Sequence, residues 1–129
     1  EKHRYLFRGT DPAYMTGDIA MIKQSIRIFV QNAAKYSSDG ADITLGVMLE
    51  SGYVSYMIQD EGIGMESSDV VHIFERFYRS DEARNGETGG SGLGLSIAKW
   101  IVDAHSGTIQ VVSRPEIGTR FIVRFPMCE

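Results

Sequence analysis

The stretch Gly90-Ser91-Gly92-Leu93-Gly94-Leu95 joins a polar, glycine-dense segment to the apolar run Ser96-Ile97-Ala98-Lys99-Trp100-Ile101-Val102. Glycines at such a junction let backbone N–H groups come close to a ligand. The first N–H groups of the helix that follows lack partners and sit at the positive end of its dipole. Together they suit a phosphate. No Lys-Ser or Lys-Thr follows the glycines, so this is not a P-loop. Leu95 stands where a dinucleotide fingerprint needs glycine or alanine. The pattern points to a nucleotide binder of another kind.

Three further groups carry usable chemistry. On the helix expected over 19–36, Ser25, Ile28, Asn32, Lys35 and Tyr36 share a flank, because residues three and four apart are neighbours. Asn32 offers an amide oxygen to a hard cation such as Mg²⁺, and Lys35 a compact positive charge to phosphate oxygens. Taken alone, the same flank reads more readily as an ordinary solvated helix end. Asp60 opens Asp60-Glu61-Gly62-Ile63-Gly64-Met65 and falls by alternation on the same face as Val54, Tyr56 and Ile58. A carboxylate there needs a donor; an adenine amino group would serve, with Gly62 and Gly64 letting the base approach. A solvated turn aspartate is the plain alternative. In Ile73-Phe74-Glu75-Arg76-Phe77-Tyr78-Arg79, two phenylalanines would anchor the base of a loop. Arg76, Arg79 and Arg84 are candidates for holding a terminal phosphate, or are surface arginines on a core helix.

These residues need a scaffold, and hydrophobic periodicity outlines one. Residues 3–8 read as an edge strand and 13–16 as a short strand before Gly17-Asp18. Asp18 is placed to N-cap a helix whose stripe is Ile19, Ile22, Ile26, Phe29, Val30 and Ala33. Ile43, Leu45, Val47 and Leu49 alternate, as do Val54, Tyr56 and Ile58, and Ser51-Gly52 makes the turn of a hairpin between them. A glycine loop at 61–66 precedes a short helix over 67–74. Residues 79–91 carry one apolar side chain, Ala83, and read as a long functional loop. A helix over 93–105 turns Ile97, Ala98, Ile101 and Val102 to the core. A last hairpin pairs 107–113 with 119–125 across Pro115–Gly118. Helices do not alternate with single strands, so the expected class is α+β: a two-layer sandwich with a mixed, mostly antiparallel sheet and helices on one face.

The chain has 129 residues, enough for one domain spanning 1–129 with a real core. A net charge of −4 and the lack of a basic cluster argue against nucleic acid. Cys128 is the only cysteine, so no intrachain disulfide forms. No apolar run approaches the ~18 residues of a membrane span. The start Glu1-Lys2-His3-Arg4 is not a signal peptide, and the chain begins without Met. It reads as a fragment of a longer protein.

The order and spacing of the groups are more specific than any one of them. Asn32-Ala33-Ala34-Lys35-Tyr36, Asp60-x-Gly-x-Gly-Met65, Phe74-Glu75-Arg76-Phe77-Tyr78-Arg79 and Gly90-x-Gly-Leu-Gly-Leu95 resemble the N, G1, F and G2 boxes of sensor histidine kinases. Gly118-Thr119-Arg120-Phe121 resembles the family's late Gly-Thr element. The resemblance covers about residues 13–126. It implies the catalytic and ATP-binding domain with the Bergerat fold. Asp60 would accept the adenine amino group, Asn32 would bind Mg²⁺, and Lys35 and Tyr36 would contact phosphates. Residues 79–91 would be the ATP lid, and Gly92 and Gly94 would present N–H groups to the phosphates. Gly62, Ile63, Gly64, Met65, Phe77, Gly90, Ser91, Leu93, Leu95 and Thr119 complete the implied nucleotide contacts, and Arg76 and Arg79 join Asn32 and Lys35 in catalysis.

The implied acceptor is a histidine on a separate dimerisation domain of the same or a partner chain, with a response regulator downstream. The implied setting is a cytoplasmic domain of a membrane-bound sensor that itself touches neither membrane nor nucleic acid. His3, His72 and His105 all lack a phosphoacceptor context, and His105 resembles the structural histidine that ends the last helix. One departure stands out. Ile28, four before Asn32, occupies a place where many relatives carry Asn or Glu. In hydrolysing relatives that glutamate activates water, so little intrinsic ATPase activity is expected here. A serine kinase of the same superfamily, of the anti-sigma-factor type, and a pseudo-kinase binding module are the alternatives.

Overall fold

The computed structural model describes residues 4–8, 17–37, 40–50, 52–75 and 94–126. The elements run β1 (Arg4–Arg8), α1 (Ile19–Tyr36), β2 (Asp42–Glu50), β3 (Tyr53–Asp60), α2 (Ser67–Val70), α3 (Gly94–Ala104), β4 (Thr108–Arg114) and β5 (Gly118–Pro126). The strands form one sheet in the order β1-β2-β3-β5-β4. Only β1 and β2 run parallel; the other three pairs are antiparallel. This is the mixed, mostly antiparallel sheet expected of an α+β sandwich. The strand expected over 13–16 lies outside the described residues.

The register places Leu45 against Ile58, Ile58 against Phe121, and Phe121 against Val111. With Ile43, Tyr56, Val123 and Phe125 these form the inner face of the sheet, and α1 and α3 cover it with Ile28, Phe29, Ala33, Ala98 and Val102. Phe29 stacks on Phe121 with ring centroids 4.8 Å apart, and Phe74 meets Phe121 edge-on at 6.4 Å. Phe74 thus ties the segment after α2 to the core, as its aromatic character predicts.

Helix α1 starts where its cap predicts. Asp18 Oδ1 accepts the N–H groups of Ala20 (2.9 Å) and Met21 (3.2 Å), two of the otherwise orphaned donors of the first turn. The Asp18 N–H in turn donates to His105 Nε2 at 3.0 Å, while His105 Nδ1 donates to the Ile101 carbonyl at 2.8 Å. A ring that accepts from one backbone group and donates to another is neutral, with its proton on Nδ1. His105 therefore fastens the end of α3 to the start of α1, a structural role.

Four local expectations are corrected. Helix α2 stops at Val70, and residues 71–74 continue as turns with the bonds His72 N–H to Asp69 and Glu75 N–H to His72. Ile97 is 44% exposed, because the buried stripe of α3 centres on Ala98 and Val102 and Ile97 lies about 100° round the helix from Ala98. Ile19, in the first turn of α1, is also exposed. Ser25 and Ile28 do not line an open flank with Asn32; both are buried. Ser25 hydrogen-bonds the Tyr56 hydroxyl at 2.8 Å inside the sandwich. Burial pushes the Tyr56 phenol well above its usual range, against a smaller opposite effect of Ser25, so the pair is neutral.

Candidate nucleotide site

The site gathers at one end of the sheet, where β3 ends, β5 begins and the C-terminal turn of α1 comes down on the loop after β3. Asp60 is the last residue of β3, on the inner face, and is 5% exposed. Two backbone donors converge on one of its oxygens: Oδ1 accepts from Gly62 N–H at 2.9 Å and from Thr119 N–H at 3.3 Å. Among the described residues Oδ2 has no partner. Burial raises the Asp60 carboxyl above the ordinary aspartate range, and the two N–H groups pull it part of the way back. A buried carboxylate with one oxygen pinned and the other open is set up to accept a hydrogen bond from a neutral donor.

The loop that carries Gly62 to Met65 is stitched on both sides. Ile63 N–H donates to the Tyr36 carbonyl at 3.1 Å, and Ser37 and Gly62 form an isolated bridge, so the end of α1 abuts the loop. On the far side Glu116 N–H donates to the Ile63 carbonyl at 2.6 Å, and Met65 N–H to Ser113 Oγ at 2.9 Å. Both motif glycines are explained by these seams. A Cβ on Gly62 would run into the Tyr36 carbonyl, and one on Gly64, at φ +66°, into the Arg114 carbonyl. The room that a base was expected to use at these glycines is taken on that side by the protein's own backbone.

The second half of the site lies along α1 towards α3. Asn32 is half-buried, Lys35 exposed and Tyr36 half-buried, all within the last turn and a half of α1. Gly94 is the first described residue of helix α3, and a Cβ there would lie 3.6 Å from Ile28 Cγ2. The N-terminal turn of α3 therefore sits beside α1 one turn before Asn32, and the positive end of a helix dipole attracts anions. Leu95 packs against the core behind it. Asn32, Lys35, Tyr36, Asp60, Gly62, Ile63, Gly64, Met65, Gly94, Leu95 and Thr119 lie on the elements that build this end. Arg76, Phe77, Arg79, Gly90, Ser91, Gly92 and Leu93 lie outside the described residues.

Residues 17–129 match the family described as histidine kinase-, DNA gyrase B- and HSP90-like ATPases. The chain belongs to this family. Within it, the chain is 45% identical over 108 residues to the sensor histidine kinase YkoH of Bacillus subtilis, covering 84% of this chain and 23% of that protein. It is 37% identical over 110 residues to the sensor-like histidine kinase SenX3 of Mycolicibacterium smegmatis, covering 85% and 29%. The chain thus spans about a quarter of the curated relatives it matches. Among solved structures, the mycobacterial sensor histidine kinase MprB superposes with a TM-score of 0.84 at 27% identity, covering 98% of this chain and 83% of that one. The catalytic domain of histidine kinase ThkA superposes with a TM-score of 0.82 at 25% identity, covering 97% and 80%. The chain is an ATP-binding catalytic domain of the sensor histidine kinase type.

Among the described residues this end of the sheet holds a buried carboxylate, an amide, a cation and the N-terminal turn of α3, groups that could serve a base and phosphates. Among the described residues no three His, Cys, Asp or Glu side chains cluster as a metal cage. That composition fits Mg²⁺ arriving with its nucleotide, because Mg²⁺ keeps waters and phosphate oxygens and needs only one or two protein ligands. No described helix is long and apolar enough to cross a membrane.

Ser113 carries no signal strong enough to be singled out from sequence. It is a polar residue on the inner row of β4 after Ile109 and Val111, and that break in an apolar alternation is the only trace of its role.

Proposed function

We propose that this domain binds MgATP and transfers the γ-phosphoryl group to a histidine on a separate dimerisation and phosphoacceptor domain, from which a response regulator is served. The bond from the γ-phosphorus to the β–γ bridging oxygen breaks, a phosphorus–nitrogen bond forms on the acceptor imidazole, and ADP leaves. The observation that carries the proposal is Asp60: buried, one oxygen fixed by two backbone N–H groups and the other without a partner among the described residues, an acceptor that suits the 6-amino group of adenine.

In this account Asp60 selects and orients the base, and Thr119 stands beside it. Asn32 contributes its amide oxygen to the Mg²⁺ of the nucleotide. Lys35, Tyr36 and the N–H end of α3 at Gly94 take phosphate oxygens, and Arg76 and Arg79 balance the charge that develops on the transferred group. Mg²⁺ held by Asn32 would supply charge neutralisation at the phosphates when bound. Ile28 presents only a hydrocarbon one turn before Asn32, so no side chain there activates water and intrinsic hydrolysis is low. The parent is a membrane-anchored sensor with residues 1–129 as one cytoplasmic catalytic domain.

Calorimetric titration with ADP and a non-hydrolysable ATP analogue, with and without Mg²⁺, tests the site, with Asp60→Asn as control. Binding in the parent that the substitution removes, followed by phosphotransfer to an added dimerisation domain, is the expected result. Binding without transfer would favour the pseudo-kinase, and transfer to a serine the anti-sigma-factor type.

A further inference from the structure

Helix α1 carries the residues proposed for the phosphates, and strand β3 ends on the acceptor proposed for the base. One hydrogen bond inside the core ties these two elements together. Ser25 is buried outright and Tyr56 nearly so. Ser25 Oγ gives its proton to the Ile22 carbonyl at 2.7 Å, so the Tyr56 hydroxyl donates to Ser25 Oγ at 2.8 Å. The surroundings are apolar: the Phe29 and Phe125 rings flank the Tyr56 ring, each with its centroid 6.2 Å away.

The placement of this bond gives it a consequence at the site. Asn32 follows Ser25 by seven residues, so the two share a side of α1 about 10 Å apart. Asp60 follows Tyr56 by four residues on the inner row of β3, about 13 Å further along. Both steps lead to the end of the sheet where Ile63 N–H meets the Tyr36 carbonyl. The span from the base acceptor to the phosphate residues therefore depends on how α1 sits along β3. One attachment leaves a helix free to pivot; the Tyr36 seam and the Ser25–Tyr56 bond together fix its height and tilt. Hydrocarbon contact is non-directional and sets such a position loosely, whereas a hydrogen bond loses its geometry within about half an ångström. Replacing both partners of a buried bond by apolar groups of the same shape is nearly neutral, so stability alone does not call for hydroxyls here.

We infer that Ser25 and Tyr56 are positioning residues of the nucleotide site: their bond sets α1 on β3, and so the span between the group that takes the base and the groups that take the phosphates. Neither touches a ligand. This rests on the nucleotide reading proposed above, and the experiment separates the two.

The probes are adenosine, which fills only the base end, and ADP with Mg²⁺, which must reach both ends. The ratio of their affinities reads the span, because a linked ligand gains from its second end only where the spacing fits. NMR titration of the intact chain should show that ratio falling about tenfold in Tyr56→Phe, roughly the worth of one charge-assisted hydrogen bond to phosphate, with adenosine affinity within about twofold of the parent's. Ser25→Ala strands the Tyr56 hydroxyl in the core and should lower Tm the most. The double variant Ser25→Ala/Tyr56→Phe removes the stranded group and should recover that Tm. The affinity ratio should stay low in all three. Tyr56→Phe makes the comparison by itself should Ser25→Ala not fold.

The inference is overturned if Tyr56→Phe keeps the parent's ratio, if both affinities fall together, or if the ratio follows Tm and returns in the double variant, as a merely structural role requires. Asp60→Asn and Lys35→Ala are the separate arms. If Asp60→Asn binds both probes like the parent, the base assignment fails, and the inference with it. If Lys35→Ala binds ADP like the parent, the phosphate assignment fails with the same consequence. If both arms lose binding while Tyr56→Phe keeps the ratio, only the role of the Ser25–Tyr56 pair fails.

Discussion

The two ends of the proposed nucleotide site are built on opposite principles. At the base end Asp60 is nearly inaccessible, and its surroundings are braced by main-chain bonds from the end of α1, the Gly62–Met65 loop and the β4–β5 turn. At the proposed phosphate end Lys35 is exposed, Asn32 and Tyr36 are half-buried, and the first described turn of α3 lies at Gly94. A base is neutral and is recognised by a few directional hydrogen bonds, which gain from a dry and preorganised frame. Triphosphate carries several charges and its metal keeps water, so cations and N–H groups at a wetter edge suffice. The base end is therefore expected to govern affinity and the phosphate end the chemistry.

Asp60→Asn is the strongest way to break this contrast. Losing a charge-assisted hydrogen bond, about 1.5–3 kcal/mol, weakens ADP binding roughly tenfold to a hundredfold. The fold should not suffer. Asn retains an oxygen for the Gly62 and Thr119 N–H groups, and the buried carboxylate it replaces is disfavoured in its charged form. Calorimetry should show the loss while thermal unfolding shows a Tm no lower than the parent's. A lower Tm with intact binding would reverse the roles given to that residue.

At the other end, Asn32→Ala removes one ligand from a metal that retains phosphate and water. Phosphotransfer to an added dimerisation domain should fall by at least about tenfold. ADP affinity measured without Mg²⁺ should change less than about twofold, since a solvated amide contributes little there. Equal losses with and without Mg²⁺ would show that Asn32 serves the fold or the base instead.

Acid sharpens the comparison because its two consequences have opposite signs. The folded-state pKa of Asp60 is raised by burial, so its contribution to apo stability is fully present below the unfolded-state pKa and is lost as pH rises through the folded-state value. Any Tm advantage of Asp60→Asn should therefore be largest at neutral pH and shrink in acid. Base recognition needs the ionised acceptor, so ADP affinity of the parent should fall as pH drops through that same raised pKa. Parallel unfolding and titration series from neutral to acid pH check both slopes. An ADP affinity flat with pH down to the ordinary aspartate range would mean that Asp60 does not accept from the base.

Much of the frame was legible in local pattern. Asp18 and the Phe29–Ala33 stripe delimit α1 at both ends, and the alternation in β2, β3 and β5 sets their inner face. The buried side of Asp60 also follows from alternation alone. What was not legible depends on tertiary partners. Ser25 reads as a polar flank residue until Tyr56, 31 positions away, is seen to donate to it in the core. Ser113 only breaks the apolar alternation of β4 until Met65, 48 positions away, is seen to donate to it. Ile97 fits the apolar spacing of α3 yet falls just outside the arc that α1 and the sheet cover. Periodicity identifies a face to within a residue of its edge; only packing sets where the edge lies.

Ile28 lies where the two ends meet, and it carries the smallest expected effect on activity. It is buried in the core beside Gly94, one turn before Asn32. Ile28→Glu would place a carboxylate where a hydrolysing relative keeps its base. Those surroundings are apolar, so burial holds the new carboxyl protonated and costs stability, on the order of a few kcal/mol. Only side chains that swing towards the metal-binding edge would ionise and orient water. Hydrolysis is therefore expected to rise by only a few-fold over a low parental rate, with a clearly lower Tm, by phosphate release and thermal unfolding. A folded variant whose hydrolysis equals the parent's would show that the missing base is not what keeps water from attacking. The wetness of the phosphate end, rather than the identity of residue 28, would then limit hydrolysis.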